Sequence, residues 1–190
     1  MILETQRLFL RLFQDADLDA FVAYRSDPEV ARYQGWDAPY SRERAVAFIA
    51  EMKAVQPGTS GAWLQLAIEI KGKSGLIGDC AFHILSGDPR QAEIAYTLAR
   101  AYQGQGFASE AVARLFDYLF KDLNLHRVTA NCDVENRASF RLLERVGLRR
   151  EATFYQNVWF KGAWGSEYLY AILQSEWNAI KNSVGPSFKC

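Results

Sequence analysis

Residues 101–110 combine glycines, amides and small side chains at a spacing that suits anion binding. Gly104 and Gly106 let the backbone approach a bulky anion, and the unpaired N–H groups of the helical turn that follows point toward it. The small side chains of Ala108 and Ser109 leave room for a ligand, and the positive end of the helix favours negative charge. We therefore expect this segment to bind a pyrophosphate. The alternative is a plain left-handed turn that enters a helix.

Two other phosphate-binding motifs do not fit. The segment has Ser109 where the dinucleotide fingerprint requires a final Gly or Ala, and a predicted antiparallel meander precedes it. Residues 72–74 read Gly-Lys-Ser, like the end of a nucleotide P-loop, but Ala67 stands where that motif needs its first glycine.

Charge and hydropathy exclude several classes of protein. The chain has 190 residues with 22 Lys+Arg, 22 Asp+Glu and no formal net charge, so no global field attracts nucleic acid or an anionic membrane. The longest uncharged stretch, residues 54–68, is too short for a bilayer and contains Pro57. No cleavable leader pattern is present at the N-terminus, and we expect a cytoplasmic protein.

The cysteines do not indicate a metal site. Cys80, Cys132 and Cys190 are widely separated, with His83 and His126 as the only histidines. Cys80 and Cys132 lie in apolar alternating runs, which predicts buried small hydrophobic residues. No metal is expected.

Hydrophobic periodicity predicts one α+β domain over residues 1–180, with a flexible tail over residues 181–190. The expected architecture is a mixed, mostly antiparallel central sheet of about seven strands flanked by helices. Predicted strands cover residues 8–13, 64–70, 76–84, 93–98, 128–132, 149–159 and 167–173, and predicted helices start at Asp15, Ser41, Ala108 and Arg137. A helix lies between the fourth and fifth strands, so these two are expected to run parallel.

Several blocks of the sequence resemble one family of enzymes. Gln103-Gly104-Gln105-Gly106-Phe107-Ala108 is similar to the Q/R-x-x-G-x-G/A acetyl-CoA loop of the GNAT N-acetyltransferase superfamily. Residues 135–148, with Glu-Asn at their start and Gly147 near their end, resemble its second conserved block, although Leu148 replaces the usual aromatic residue. Residues 4–11 and 92–96 resemble the RimJ and RimL branch, which acetylates ribosomal-protein N-termini.

The resemblance implies a GNAT-like fold and direct acetyl transfer from acetyl-CoA to a primary amine. By resemblance Glu93 is the candidate general base, acting through water, and the backbone N–H near Leu98 is the candidate oxyanion donor. Ser139 would protonate the leaving thiolate, as a tyrosine also could, and Asn136 would bind the pantetheine arm. Each has a simpler alternative: Glu93 can form a surface ion pair, and Asn136 can cap a helix.

The resemblance further implies that residues 103–109, namely Gln103, Gly104, Gln105, Gly106, Phe107, Ala108 and Ser109, hold the cofactor. Arg100 or Arg137 could meet a phosphate. Two aromatic groups are candidates for walls of the acceptor groove, with core packing or a dimer contact as alternatives; they are Tyr33, Trp36 and Tyr40, and Tyr155, Trp159 and Trp164.

Three functions stay open at this stage. The first is an N-acetyltransferase for a small molecule, a peptide or a protein N-terminus, as a monomer or homodimer and without nucleic-acid or membrane partners. The second is a non-catalytic acyl-CoA sensor that keeps the loop but lacks a base. The third is a dinucleotide-dependent oxidoreductase, for which Asp122 is the loosely placed ribose contact.

Overall fold

A computed structural model describes residues 2–184 of the chain, with side chains to residue 183. Eight strands form one sheet: β1 (Ile2–Glu4), β2 (Leu8–Arg11), β3 (Trp63–Ile70), β4 (Leu76–Ile84), β5 (Gln91–Leu98), β6 (Arg127–Asp133), β7 (Arg149–Phe160) and β8 (Ala163–Leu173). The α-helices are α1 (Leu18–Arg25), α2 (Pro28–Ala31), α3 (Arg42–Ala54), α4 (Phe107–Asp117), α5 (Arg137–Arg145) and α6 (Gln174–Val184).

The strand order confirms the predicted mixed, mostly antiparallel sheet. It is β1-β2-β3-β4-β5-β6-β8-β7, and every neighbouring pair is antiparallel except β5 and β6. The sheet has eight strands where about seven were expected; the additional strand is β1, which has only three residues and gives no readable alternation.

Three helices also differ from the prediction, one of them the short α2, which was not predicted. The first helix does not begin at Asp15, because residues 15–17 form a 3-10 turn and α1 follows at Leu18. The helix α6 was not predicted, and its Trp177 is fully buried with its ring 5.3 Å from that of Phe116. Residues 181–184 of the predicted tail therefore belong to a helix, and residues 185–190 lie outside the described part of the chain.

The parallel pairing of β5 and β6 is confirmed, but it is short. It joins Gln91 to Arg127, Ala92 to Val128 and Glu93 to Thr129. Beyond Glu93, β5 continues beside β4 while β6 continues beside β8, so the two strands diverge. This divergence opens the sheet at the carboxyl end of β5.

Apolar side chains on the two faces of the sheet form two cores. One face packs against α4, α5 and α6 through residues such as Leu66, Ile94 and Leu115. The other face packs against α1 and α3, with Phe21 and Ile49 among its members. Alternating strand positions supply the two cores, as a pleated strand requires. Helices on both faces thus hold the divergent strands in place.

The predicted burial of Cys80 and Cys132 is confirmed, and both thiols are free. Cys80 is fully buried in the core on the α4 side, and Cys132 lies 7% exposed on β6. After α5, Gly147 has φ 99° and forms a left-handed cap.

Candidate active site

A cleft of about 640 Å³ occupies the gap between β5 and β6. Its walls come from β5, the loop before α4, the first turn of α4, β6, α5 and the region around α2. Eleven of the residues singled out from the sequence line it: Tyr33, Leu98, Arg100, Gln103, Gly104, Gly106, Phe107, Ala108, Ser109, Asn136 and Ser139. The residues that carry the sequence motifs are thus brought together in one cavity, which we call the β5–β6 cleft.

The loop before α4 is shaped by its own amide side chains. Gln103 Nε2 donates to the Leu98 carbonyl at 3.0 Å, and Gln105 Nε2 donates to the Ala101 carbonyl at 2.8 Å. Gln105 does not line the cleft. Its role in the structure is to fold the loop.

The first turn of α4 begins at the cleft wall without a side-chain cap. Gly106 is the N-cap residue, with φ 83°, and no side chain among the described residues caps the helix. Gly104 has φ 74°, so both glycines occupy a region that L side chains rarely adopt. The N–H groups at the start of α4 have no helical partner and can donate hydrogen bonds to an anion.

The N–H of Leu98 points into the cleft. The Leu85 N–H donates to the Gln91 carbonyl and the Ala99 N–H to the Ile77 carbonyl, both at 2.9 Å, so odd-numbered residues of β5 bond to β4. Alternate residues of a strand bond to opposite neighbours, so the polar groups of Leu98 face the side from which β6 has diverged. The Gln103 amide on the Leu98 carbonyl fits that orientation.

Two hydroxyl groups meet in the cleft. Tyr96 Oη lies 2.8 Å from Ser139 Oγ and 3.2 Å from the Ser139 carbonyl. Burial raises the pKa of Tyr96 well above its usual range, so the phenol keeps its proton. Sequence reasoning did not single out Tyr96 for this contact; the available signal was its position two residues before Leu98, on the same face of the strand.

Cys132 also lines the cleft, beside this hydroxyl pair. Burial raises the pKa of its thiol to about 11, although a hydrogen bond with Ser139 partly offsets the effect. Because the thiolate is the nucleophilic form of cysteine, this side chain is unreactive near neutral pH.

The helix-capping alternative for Asn136 is confirmed. Asn136 is the N-cap of α5, and its Oδ1 accepts the Ser139 N–H at 3.1 Å. The same side chain lines the cleft, and its amide nitrogen takes no part in the cap. The cap thereby fixes the start of α5 and, with it, the position of Ser139.

Glu93 lies at the last β5–β6 pair, opposite Thr129 and beside His83 of β4, and does not line the cleft. It is half-buried, and within residues 2–183 it forms no ion pair, so the surface ion-pair alternative does not describe it. Burial raises the pKa of Glu93; His83 opposes this shift and Glu167 adds to it.

Three guanidinium side chains line the cleft: those of Arg100, Arg141 and Arg145. Arg145 Nη1 donates to the buried Ser109 Oγ at 3.4 Å. Arg100 lies 3.4 Å from an oxygen of Asp27. Arg137, the other arginine considered from the sequence, does not line the cleft.

The aromatic residues considered for the acceptor groove are dispersed. Tyr33 lines the cleft, and its hydroxyl donates to the Glu135 carbonyl at 3.3 Å. Tyr40 is buried in the core on the α1 side, with the Trp36 ring packed against it. The later group, Tyr155, Trp159 and Trp164, is exposed on the β7–β8 hairpin outside the cleft. Of these six aromatic residues, only Tyr33 lines the β5–β6 cleft.

Over the described range, no three His, Cys, Asp or Glu side chains come together in a way that could hold a metal ion. None of the helices in residues 2–184 has the length and apolar character needed to cross a membrane.

Comparison with known proteins gives a uniform result. The family model described as an acetyltransferase (GNAT) domain matches residues 7–149. An uncharacterized N-acetyltransferase of Bacillus subtilis, YnaD, is 34% identical over 178 residues, which span 94% of this chain and all of that protein.

Solved structures agree with the family match. An acetyltransferase (GNAT family) from Bacillus anthracis superimposes with a TM-score of 0.82 at 31% identity, over 93% of this chain and all of that one. The spermidine N-acetyltransferase of Vibrio cholerae, in complex with CoA and spermine, gives a TM-score of 0.77 at 25% identity, over 92% and 99% of the two chains.

Proposed function

The chain belongs to the GNAT acetyltransferase family and is an acyltransferase, and from that premise we propose that it moves an acetyl group from acetyl-CoA to a primary amine. The observation that carries the proposal is the uncapped first turn of α4 at the wall of the β5–β6 cleft. Main-chain N–H groups there suit a diphosphate, which is the part of the donor that does not react.

The cleft also fits the rest of the donor. Arg100, Arg141 and Arg145 supply positive charge for phosphate groups, and Arg is suited to bidentate phosphate contacts. The amide of Asn136 lies where it can bind the pantetheine arm. The cavity volume of about 640 Å³ falls in the usual range for small-molecule sites.

The proposed reaction is direct attack of a neutral amine on the thioester carbonyl carbon. Glu93, through a water molecule, takes the proton that the amine loses as the C–N bond forms. The Leu98 N–H stabilises the oxyanion, because it points into the cleft and has no strand partner there. As the C–S bond breaks, Ser139 gives a proton to the thiolate and regains one from solvent, while Tyr96, which keeps its own proton, holds the serine hydroxyl in place through their hydrogen bond.

Direct transfer is supported by the state of the cysteine in the cleft. A covalent route needs an activated nucleophile, and the raised pKa of Cys132 makes its thiol a poor one. Asp122, the ribose contact of the oxidoreductase alternative, lies beyond α4, at the helix end opposite the loop, and the family is not one of oxidoreductases.

The proposal also covers the class of acceptor, the cellular location and the oligomeric state. Residues 4–11 and 92–96 favour the RimJ and RimL branch and thus a protein N-terminus as acceptor, whereas the Vibrio cholerae neighbour is a spermidine N-acetyltransferase. We place the protein in the cytoplasm, as a monomer or homodimer, acting without metal, nucleic acid or membrane.

The test is a turnover assay with two classes of acceptor. The protein is incubated with acetyl-CoA and either polyamines or N-terminal peptides, and free thiol is measured over time, while calorimetry with CoA reports binding alone. Thiol release that depends on an acceptor supports the proposal and names the acceptor class. CoA binding without release for any acceptor would favour the sensor, and no CoA binding would overturn the site itself.

A further inference from the structure

The loop before α4 is contacted from behind by Arg7, in the turn between β1 and β2. Arg7 Nε donates to Glu110 Oε2 at 2.6 Å, and Nη1 donates to the Gln105 carbonyl at 3.1 Å. The guanidinium carbon lies 4.6 Å from the centre of the Phe107 ring. One side chain therefore joins the loop, the first helical residue and a carboxylate in the first turn of α4.

Glu110 completes the connection on the helix side. Its Oε1 accepts the Arg7 backbone N–H at 2.9 Å and the Thr5 hydroxyl at 2.6 Å. Burial would raise the pKa of Glu110, but the hydrogen bonds from Thr5 and Arg7, with the guanidinium charge, lower it below its usual value. The carboxylate therefore stays ionised, and charge-assisted hydrogen bonds of this kind are strong.

The contact with Gly106 is close. A Cβ added at Gly106 would lie 3.2 Å from Arg7 Nη2, so the loop backbone closes directly on the guanidinium. Nη2 is a buried atom and has no hydrogen-bond partner among the described residues. Such a position is unfavourable for the nitrogen itself, which indicates that the other contacts of Arg7 hold it there.

None of Thr5, Arg7 and Glu110 lines the β5–β6 cleft. They lie behind the loop, so they can act on a ligand in the cleft only through the backbone of the loop. Their sequence signal, the Thr-x-Arg of residues 5–7, is the part of the N-terminal motif to which the chemistry of the cleft assigns no role.

We propose that Arg7 is a positioning residue, which together with Glu110 holds residues 104–107 in the diphosphate-binding conformation before the ligand arrives. The inference rests on the proposed function, because it assumes that the loop binds a diphosphate. A loop ordered in advance loses less conformational freedom on binding, so affinity is higher. Lysine cannot replace arginine here, because its single ammonium group cannot reach Glu110 and Gln105 with a planar fork.

The test compares Arg7→Lys and Arg7→Met with the wild type and with Lys71→Met. Lys71 forms a neighbouring ion pair with Glu4, so the control removes a nearby charge without touching the loop. We expect both Arg7 variants to raise the Kd for CoA and the KM for acetyl-CoA about tenfold. The kcat at saturating donor and the KM for the amine should stay within about twofold, and Lys71→Met should match the wild type.

Two further measurements separate positioning from general stability. In Arg7→Lys without ligand, amide hydrogen exchange should accelerate at residues 104–109 and stay unchanged in α5. In a cycle with Glu110→Gln, the double variant should bind CoA no more weakly than Arg7→Met alone. A lower melting temperature with unchanged CoA affinity and unchanged loop exchange would overturn the inference. Failure of the wild type to bind CoA would instead overturn the proposed function, while the exchange experiment would still test the loop.

Discussion

At the scale of single residues, the hydroxyl pair of Tyr96 and Ser139 gives the sharpest test of the chemistry. Ser139→Ala removes the proposed proton donor, so we expect kcat to fall about a hundredfold, the lower range of general acid catalysis. Tyr96→Phe leaves the serine but removes the 2.8 Å contact that orients its hydroxyl, and we expect a fall of about tenfold. Steady-state kinetics with varied acetyl-CoA measure both.

The KM for acetyl-CoA should change little in either variant, because neither hydroxyl is assigned to donor binding. Cys132→Ala is the matched control, since it lies in the same cleft and removes a contact with Ser139 but no proposed proton donor. If Ser139→Ala weakened donor affinity and left kcat intact, Ser139 would be a binding residue and the acid would lie elsewhere.

A second residue-scale prediction concerns the pH dependence of Glu93. A base must be ionised, and burial raises the pKa of this carboxyl, so the acid limb of kcat/KM should lie above the range of an ordinary Glu. Glu93→Gln should lower the rate most between the pKa of Glu93 and that of the amine, where the carboxylate is ionised and the amine still carries a proton. The loss should shrink as pH exceeds the pKa of the amine, about 7.7–8.0 for a protein N-terminus.

The pH–rate profiles of the wild type and Glu93→Gln decide the point, with Gln91→Ala as a control on the same strand face. Profiles that coincide at every pH would remove Glu93 from the mechanism. A loss of the same factor at all pH values would indicate a role in holding β5 rather than in proton transfer.

At the scale of elements, the start of α4 depends on Gly106 for two separable reasons. Gly106→Ala places a side chain at φ 83°, which costs about 1–2 kcal/mol, and brings its Cβ to 3.2 Å from Arg7 Nη2. Gly104→Ala has a similar φ of 74° but meets no atom within 4 Å. We expect both variants to lose similar stability in urea, while Gly106→Ala alone loses most of its CoA affinity. Equal affinities in calorimetry would contradict the close packing of Arg7 on the loop.

Elements with strong local signals were predictable from the sequence, and those held by tertiary contacts were not. The helix α5 has Asn136 at its start and Gly147 after its end, and both are capping residues with a local mechanism. The three residues of β1 carry no period, and α6 depends on burying Trp177 against Phe116. Weak local patterns of this kind are decided by packing.

The candidate site shows the same division. The loop was readable because glycines and a helix start have intrinsic geometry, so Gly104, Gly106 and Ser109 line the cleft as expected. Tyr96 and Ser139 are 43 positions apart in the sequence, and Arg7 and Glu110 are 103 positions apart. No local sequence pattern predicts contacts over such separations. That the Gln105 side chain turns back to the Ala101 carbonyl was likewise not readable, because spacing does not reveal which way a side chain turns.

At the scale of the whole molecule, a buried charge network lies under the carboxyl end of β5. Asp79 on β4 is only 1% exposed. Its register partner on β5 is Thr97, which lines the cleft. Asp79 accepts a hydrogen bond from the Tyr24 hydroxyl, and Arg25 Nη2 lies 3.7 Å from it. Burial raises the pKa of Asp79, although Arg25 and Tyr24 oppose the shift.

Four aromatic rings surround the Arg25 guanidinium at 4.0–5.2 Å, those of Phe21, Trp36, Tyr40 and Phe48. This network joins α1, α3 and β4 and stands directly behind the strand that supplies the proposed oxyanion donor. It should therefore determine how firmly the sheet is held where β5 and β6 diverge, without taking part in the reaction.

Variants of Asp79 and Arg25 test whether this network supports the sheet without taking part in the reaction. Asp79→Asn leaves Arg25 buried without its counter-charge, so the free energy of unfolding should fall by about 3 kcal/mol in urea titration. Arg25→Met combined with Asp79→Leu removes both charges and should recover much of that loss, because apolar replacements of a buried pair are often neutral. At a temperature where each variant stays folded, kcat should remain within about threefold of the wild type. If Asp79→Asn were fully stable yet inactive, Asp79 would belong to the catalytic apparatus and not to the support of the sheet.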